Sequence, residues 1–269
     1  DGEHVYATFG SQGLYCYDLA GSLKWKSDLG DMRIKLGFGE GSSPAIYGDQ
    51  IVVNWDHEGQ SFLVALDKKT GKVNWKVDRD EMTSWATPLI VEGNGSGQVI
   101  TSATRSVRSY DLKTGKMIWE HSFNVFHTDI PRARAGWASP VVDAETGNVY
   151  AHGIQGMFFC FDRDGEILLS RSLTETLGRI SGYGGRTHTP IIDEDQVIIS
   201  FMNSGFGAQG RGAHRFLSMN KHTGELQWWS SPAGPPQDTT YAVPVVAVVN
   251  GERLLIAAAG DGAVYAMRV

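Results

Sequence analysis

The chain has 269 residues and a formal net charge of −6. That balance speaks against a nucleic-acid partner, which needs a concentrated basic surface, and no apolar run reaches the length of a membrane span. With 33 glycines, short apolar runs set between Gly, Asp and Asn, and no sustained helical period, the composition points to an all-β chain of many short strands and turns.

Residues 1–27 read as three strands: His4 to Phe9, Leu14 to Tyr17 and Leu23 to Lys26. The last two flank a hairpin, and copies of that hairpin organise the rest of the chain. Ala65 to Trp75 reads Ala-Leu-Asp-Lys-Lys-Thr-Gly-Lys-Val-Asn-Trp; Ser109 to Trp119 and Ser218 to Trp228 repeat it. Cys16 to Trp25 and Cys160 to Leu169 are one residue shorter, with Leu169 in the Trp place. Asp67 and Asp111 are placed to accept turn amides, and Gly71, Gly115 and Gly224 supply the positive φ of the turn. The large residues Trp25, Trp75, Trp119 and Trp228 fall at one structural position, where packing between neighbouring units is expected.

A second marker precedes each hairpin. Ser43-Pro44, Thr87-Pro88, Ser139-Pro140, Thr189-Pro190 and Val243-Pro244 each open an apolar run. The unit is therefore four strands, A to D, with A after the proline and D carrying the Trp. Its spacing of roughly 50 residues is that of a four-stranded propeller blade. Four units are complete. The head lacks an A strand and the tail lacks a D strand, so residues 1–269 are expected to be a single β-propeller domain that is N-terminally incomplete. The long connections (26–43, 76–87, 120–139, 170–189, 229–243) are all D–A, and the long B–C loops are 54–61 and 202–215. All of these fall on one face, which is the expected binding face. Cys16 and Cys160 occupy the slot that holds Ala65, Ser109, Ser218 and Ala266 elsewhere. They read as small buried thiols, too far apart for a disulfide.

The Asp-x-x-Thr-Gly-Lys-x-x-Trp hairpin resembles the tryptophan-docking motif of quinoprotein dehydrogenase propellers. It is also similar to the BamB-like and "PQQ-binding-like" repeat proteins, planctomycete-type members above all. Ser-Trp-Ala-Thr-Pro (84–88), Gly-Ser-Ser-Pro (41–44) and Phe-Leu-Val-Ala-Leu-Asp (62–67) carry that likeness. The resemblance implies a ring of seven or eight blades and an exported, periplasmic or cell-envelope protein. It does not imply a quinone enzyme. Quinoprotein alcohol dehydrogenases carry an adjacent Cys-Cys pair over pyrroloquinoline quinone (PQQ) and a calcium held by carboxylate and amide groups, and this sequence has no such pair. No cofactor is expected, with PQQ as the alternative.

Candidate ligand-binding residues follow from position. Trp85, Trp137 and Tyr241 each lie three residues before a marker proline, where they would line the rim of a central channel. Arg132, Arg134 and Arg186, with His188, fall on the later loops and suit an anionic group; His127, Arg211, His214 and Arg215 add to that sector. Asp31, Glu40, Asp56, Glu58, Asp80 and Glu81 fall on the earlier loops. Trp55, Asp56 and His57 open the 54–61 loop. Neither Asp56-His57-Glu58 nor His127-Thr128-Asp129 has a zinc or calcium spacing, so no metal is expected. No nucleophile motif of the Gly-x-Ser-x-Gly type appears. The leading expectation is a non-enzymatic scaffold that takes a protein, peptide or glycan on the long-loop face. The alternative is an enzyme at the channel mouth, either a PQQ-dependent dehydrogenase or a carbohydrate-active enzyme.

Overall fold

The computed structural model describes residues 1–34, 37–92, 97–123, 136–178, 187–203, 213–236 and 240–269. Among them the strands form six antiparallel sheets, each made of consecutive strands. The chain gathers into two compact units. The first contains β1 (His4–Thr8), β2 (Leu14–Asp18) and β3 (Leu23–Ser27). Next come β4 (Ala45–Tyr47), β5 (Gln50–Trp55), β6 (Ser61–Asp67) and β7 (Val73–Arg79). Its third sheet is β8 (Leu89–Val91), β9 (Gln98–Ser102), β10 (Ser106–Asp111) and β11 (Met117–Ser122). Residues 136–140 and Arg163–Gly165 also belong to this unit.

The second unit contains β12 (Val141–Val142), β13 (Val149–His152), β14 (Met157–Phe161) and β15 (Ile167–Ser172). A second sheet follows with β16 (Ile191–Asp193), β17 (Gln196–Asn203), β18 (Ala213–Asn220) and β19 (Leu226–Ser230). The last is β20 (Val245–Val249), β21 (Glu252–Ala258) and β22 (Val264–Arg268). Four four-stranded sheets and two three-stranded ones match the strand tally read from the sequence.

The repeated hairpin is built by local chemistry. The Asp67 carboxylate accepts the Thr70 amide at 2.8 Å and its hydroxyl at 2.7 Å, and Gly71 closes the turn onto the Asp67 carbonyl with φ +70°. Asp111, Thr114 and Gly115 repeat this geometry. At an A–B turn that the sequence reading did not single out, Asp143 accepts the Thr146 hydroxyl at 2.7 Å and the Glu145 amide at 3.3 Å, and Gly147 closes onto its carbonyl. The small residue of each hairpin lies opposite the large one: Ala65 pairs with Trp75, Ser109 with Trp119, Cys16 with Trp25, Ser218 with Trp228, and Cys160 with Leu169. One residue later every ladder slips by a bulge. The slot is small because an indole lies beside it, and both cysteines in it are free and buried.

Trp25 and Trp75 then reach the next sheet of the first unit, and Trp119 reaches the Arg163–Gly165 segment of that unit. The indole N–H groups of Trp25, Trp75 and Trp119 donate to the carbonyls of Lys68, Leu112 and Arg163 at 3.0, 2.9 and 3.1 Å. Each ring lies flat on the turn glycine beyond that carbonyl. A Cβ on Gly71, Gly115 or Gly165 would come within 2.6, 2.6 or 2.5 Å of the ring. Leu169 covers Gly224 in the same way inside the second unit. Trp228 differs: its N–H donates to the Gln196 side chain at 2.8 Å.

Two features depart from the sequence reading. The D strands β7 and β11 run past their Trp to Arg79 and Ser122. In the 170–189 connection, Leu173–Leu177 forms one helical turn, α1, capped by the Ser172 hydroxyl accepting from the Glu175 amide. Its Ser-x-x-Glu spelling is a capping signal, too short to register as helical periodicity.

Replacing Trp75 by Ala should cost about 3–5 kcal/mol of stability, because the ring is buried and bonded. Gly115→Ala, at the other side of the same contact, should also destabilise, since φ is +71° and the Cβ meets the ring. Equilibrium denaturation checks both. A Trp75→Ala loss below about 0.5 kcal/mol, the scale of an ordinary surface change, would contradict the packing.

Candidate functional site

Three segments belong to the first unit: 39–44 and 83–88, which lead into β4 and β8, and 136–140. They lie side by side. Trp85 donates its amide to the Gly136 carbonyl at 2.7 Å, and Ser84 and Gly136 form a parallel bridge. The amides of Ser43 and Thr87 donate to the hydroxyls of Thr87 and Ser139 at 3.2 and 2.9 Å. The Thr87 and Ser139 hydroxyls, each just before a marker proline, thus take the amide at the same position of the preceding segment, which gives these two Ser/Thr-Pro sites a physical reason. Ser42 adds a bond to the Ala86 carbonyl at 3.0 Å. Gly136 is required by close approach, since a Cβ there would meet the Ser84 hydroxyl at 2.6 Å.

Two candidate residues meet on this array. Trp85 and Trp137 stack with ring centroids 4.0 Å apart and planes 12° apart. The Trp85 indole N–H donates to the Gly39 carbonyl at 3.1 Å. Both rings are half-buried. An offset or parallel pair of indoles makes a rigid apolar platform with little entropy left to lose.

Beneath the array is a buried polar network. The Asp56 carboxylate receives the Arg79 guanidinium bidentately at 2.9 and 3.1 Å, and both side chains are fully buried. The remaining Arg79 nitrogen donates to Thr101 and Tyr110 hydroxyls at 2.8 Å each. Trp55 is buried against Phe62. His57 is buried, with Nδ1 accepting from the Arg33 amide at 2.8 Å and Nε2 donating to the Gln60 carbonyl at 3.1 Å. The Glu58 carboxylate accepts the Thr83 hydroxyl at 2.8 Å. Glu81 accepts from the Ser106 hydroxyl at 2.6 Å, and burial raises its carboxyl above the usual range despite that bond. These groups anchor the 54–61 loop and the 83–88 segment; they are not free acids or bases.

The sequence reading put Trp55, Asp56 and His57 on an exposed loop, and the structure puts them inside. Asp56 gives its charge to Arg79 and is withdrawn from the acidic sector expected at the surface. Arg79 was not picked out, because β7 was read as ending sooner; its partners Thr101 and Tyr110, and Ser106, stand on β9 and β10, where no local pattern marks them. In the second unit, Tyr241 is exposed and His188 is buried, its Nε2 donating to the Thr240 carbonyl. His214 is buried too, and Arg215 lies over the Trp229 ring at 5.1 Å. Arg132, Arg134 and Arg186, like His127 and Arg211, lie outside the described residues.

A family model described as outer membrane protein assembly factor BamB matches residues 1–200. A lanthanide-dependent methanol dehydrogenase from Methylorubrum extorquens is 36% identical over 72 residues, covering 23% of this chain and 12% of that enzyme. BamB from Moraxella catarrhalis superposes with a TM-score of 0.62 at 16% identity, over 100% of this chain and 74% of that one. Quinohemoprotein alcohol dehydrogenase from Comamonas testosteroni gives 0.62 at 11%, over 96% and 62%. Saccharomyces cerevisiae Sqt1 gives 0.66 at 13%, over 99% and 68%. The chain thus spans less than two thirds of that alcohol dehydrogenase and a small part of the methanol dehydrogenase. At these identities the structural likenesses carry the fold, an all-β propeller of four-stranded antiparallel blades.

Asp56→Ala should destabilise by about 3–5 kcal/mol, because it leaves the Arg79 guanidinium buried and unpaired. The double change Asp56→Leu with Arg79→Met should recover most of that loss. Denaturation midpoints of the set check it; a neutral single variant would mean that Arg79 finds another partner.

Proposed function

The chain belongs to the family of the outer membrane protein assembly factor BamB, and from that premise we propose that it is a non-enzymatic binding scaffold of the bacterial cell envelope. Its occupant is an extended protein segment held on the face formed by the D–A and B–C connections. The observation that carries this reading is the stacked pair Trp85–Trp137 on a hydrogen-bonded array. Rigid indoles beside backbone-tied segments are what a polypeptide partner uses as an anchor. The nearby carboxylates and imidazole are already bonded inside the fold, which favours binding over acid–base chemistry. No helix among the described residues is long and apolar enough to cross a membrane.

A second reading, a quinone-dependent dehydrogenase, is favoured by the 72-residue likeness to methanol dehydrogenase. The described residues do not fit the quinone. Cys16 and Cys160 are buried in separate strands, and no adjacent pair exists. The two indoles touch each other at 4.0 Å, with no gap for a flat ring between them. Asp56 is committed to Arg79 rather than to an ion.

The probe is a fluorescent peptide of alternating apolar and polar residues with aromatic ends, as in a transmembrane β-strand. Its anisotropy should report saturable binding. Trp85→Ala combined with Trp137→Ala should weaken that binding by roughly 30-fold, the loss of about 2 kcal/mol expected for an aromatic hot spot. Unchanged affinity would remove the platform from the site. Dye-linked methanol oxidation after loading with PQQ and calcium or lanthanum would replace the scaffold reading with the enzyme.

A further inference from the structure

The second unit ties its leading segments together with imidazoles where the first uses hydroxyls. His152, at the end of β13, donates through Nδ1 to the His188 carbonyl at 3.0 Å, and Thr187 returns a bond to the His152 carbonyl at 2.9 Å. His188, in the segment entering β16, donates through Nε2 to the carbonyl of Thr240, in the segment entering β20. His214, on β18, accepts the Gly260 amide at Nδ1 at 3.1 Å, so its Nε2 carries the proton and donates to the Ser200 hydroxyl at 2.8 Å. All three side chains are buried. The rings of His188 and His214 lie 6.4 Å apart and 19° from parallel. Each neutral tautomer is fixed by its own bonds, and the chain crosses all three sheets of the unit.

We propose that this imidazole chain is an acid-sensitive latch: neutral, it holds the segments entering β16 and β20 and the β21–β22 turn in place, and protonation releases them. A proton on His214 Nδ1 would face the Gly260 N–H donor directly. A proton on His152 Nε2 would lie in the core, where that atom has no hydrogen-bond partner among the described residues. Two or three positive charges within one buried cluster would also repel.

The surroundings do little to offset this. His152 packs edge-on against Phe158 of β14, and His214 stacks on Phe216. The one carboxylate that favours a charged His214 is Asp261, which already accepts from the Tyr265 hydroxyl and the Gly234 amide. The Thr240 and Ser200 groups favour a charged His188, and burial outweighs them. Arg215 alternates to the opposite face of β18, over Trp229. Burial, the largest cause, brings His152 and His214 down to about 4 and lowers His188 as well. Unfolded imidazoles titrate near 6.5. The native unit therefore binds fewer protons than the opened one between about 6.5 and about 4, and its stability falls as pH falls through that window. His152 and His214 can each shift opening on the order of a hundredfold, and His188 acts in the same direction. In the first unit the buried carboxyl of Glu81 is shifted upward, which acts in the opposite sense, and the buried imidazole His57 sits in the 54–61 loop, outside the hydroxyl-tied segments.

The test is amide hydrogen exchange on the full chain near pH 7 and at about pH 5, above the ordinary Asp and Glu values of about 3.9 and 4.3, corrected for intrinsic rates. Amides of β16, β20 and β21 should lose protection at least tenfold more than those of β5 and β6, and regain it on return to neutral pH. A uniform loss, or none, would overturn the latch. His188→Gln keeps a side-chain donor toward Thr240 and removes a titrating group. It should keep protection at neutral pH and shrink the acid response several-fold. Should that variant not fold, NMR titration of the native imidazoles decides: His152 and His214 titrating near 6.5 with unchanged protection would overturn the proposal.

Discussion

A strand buried on both faces has to find a neighbour on each, and here one indole on one glycine fixes where that neighbour sits. β6 is buried from Ser61 to Leu66, so its sheet cannot stand alone in water. The Trp on the outer strand supplies apolar area and a single N–H donor. The next turn supplies a carbonyl in a known place and a glycine that lets the ring lie on the backbone. Three junctions of the first unit repeat this with bond lengths within 0.2 Å of one another. The glycine answers two demands at once, a positive φ and a missing side chain, so neither demand can be relaxed separately.

Once the sheets are registered in this way, the segments leading into their first strands fall into register too. The hydroxyl ladder 43–87–139 follows from equal positions being brought side by side, and the Trp85–Trp137 stack follows from the same translation. The buried Asp56–Arg79 pair is a consequence of a longer D strand that carries Arg79 under the 83–88 segment. A fully hydrogen-bonded pair of this kind is costly to break from one side and adds little against an apolar replacement. Its role is to fix the loop conformation above it.

How much of this could be read beforehand depends on how local the chemistry is. The turns were legible because Asp, Thr and Gly act on their own backbone within five residues. The small slot at Ala65 and Cys16 was visible as a pattern, but the bulge beside it was not, since a slipped ladder leaves no residue type behind. Trp85 and Trp137 could be named as equivalent positions; their contact needed the sheet-to-sheet translation. Arg79 was missed for a physical reason. It stands in Lys76 to Glu81, a stretch that reads as a solvated charged connection until its strand is seen to continue. The imidazole chain was fully hidden, because its links join residues 36 and 52 positions apart, and a single buried histidine looks like any other in the sequence.

The two units solve one problem with different groups. Leading segments carry exposed backbone donors and acceptors that their sheets do not satisfy, so side chains must bridge them. Hydroxyls bridge equally well at any physiological pH, and the first unit uses them under its aromatic platform. The second unit meets Val243 where a hydroxyl would stand before the last marker proline, and the bridging there passes to His188 and the Thr240 carbonyl. Substituting a titratable bridge for a fixed one leaves the neutral fold unchanged and makes its hold conditional on protons. The leading segments of the first unit are thus tied by groups whose protonation does not change, and those of the second by rings whose hydrogen bonds require the neutral form.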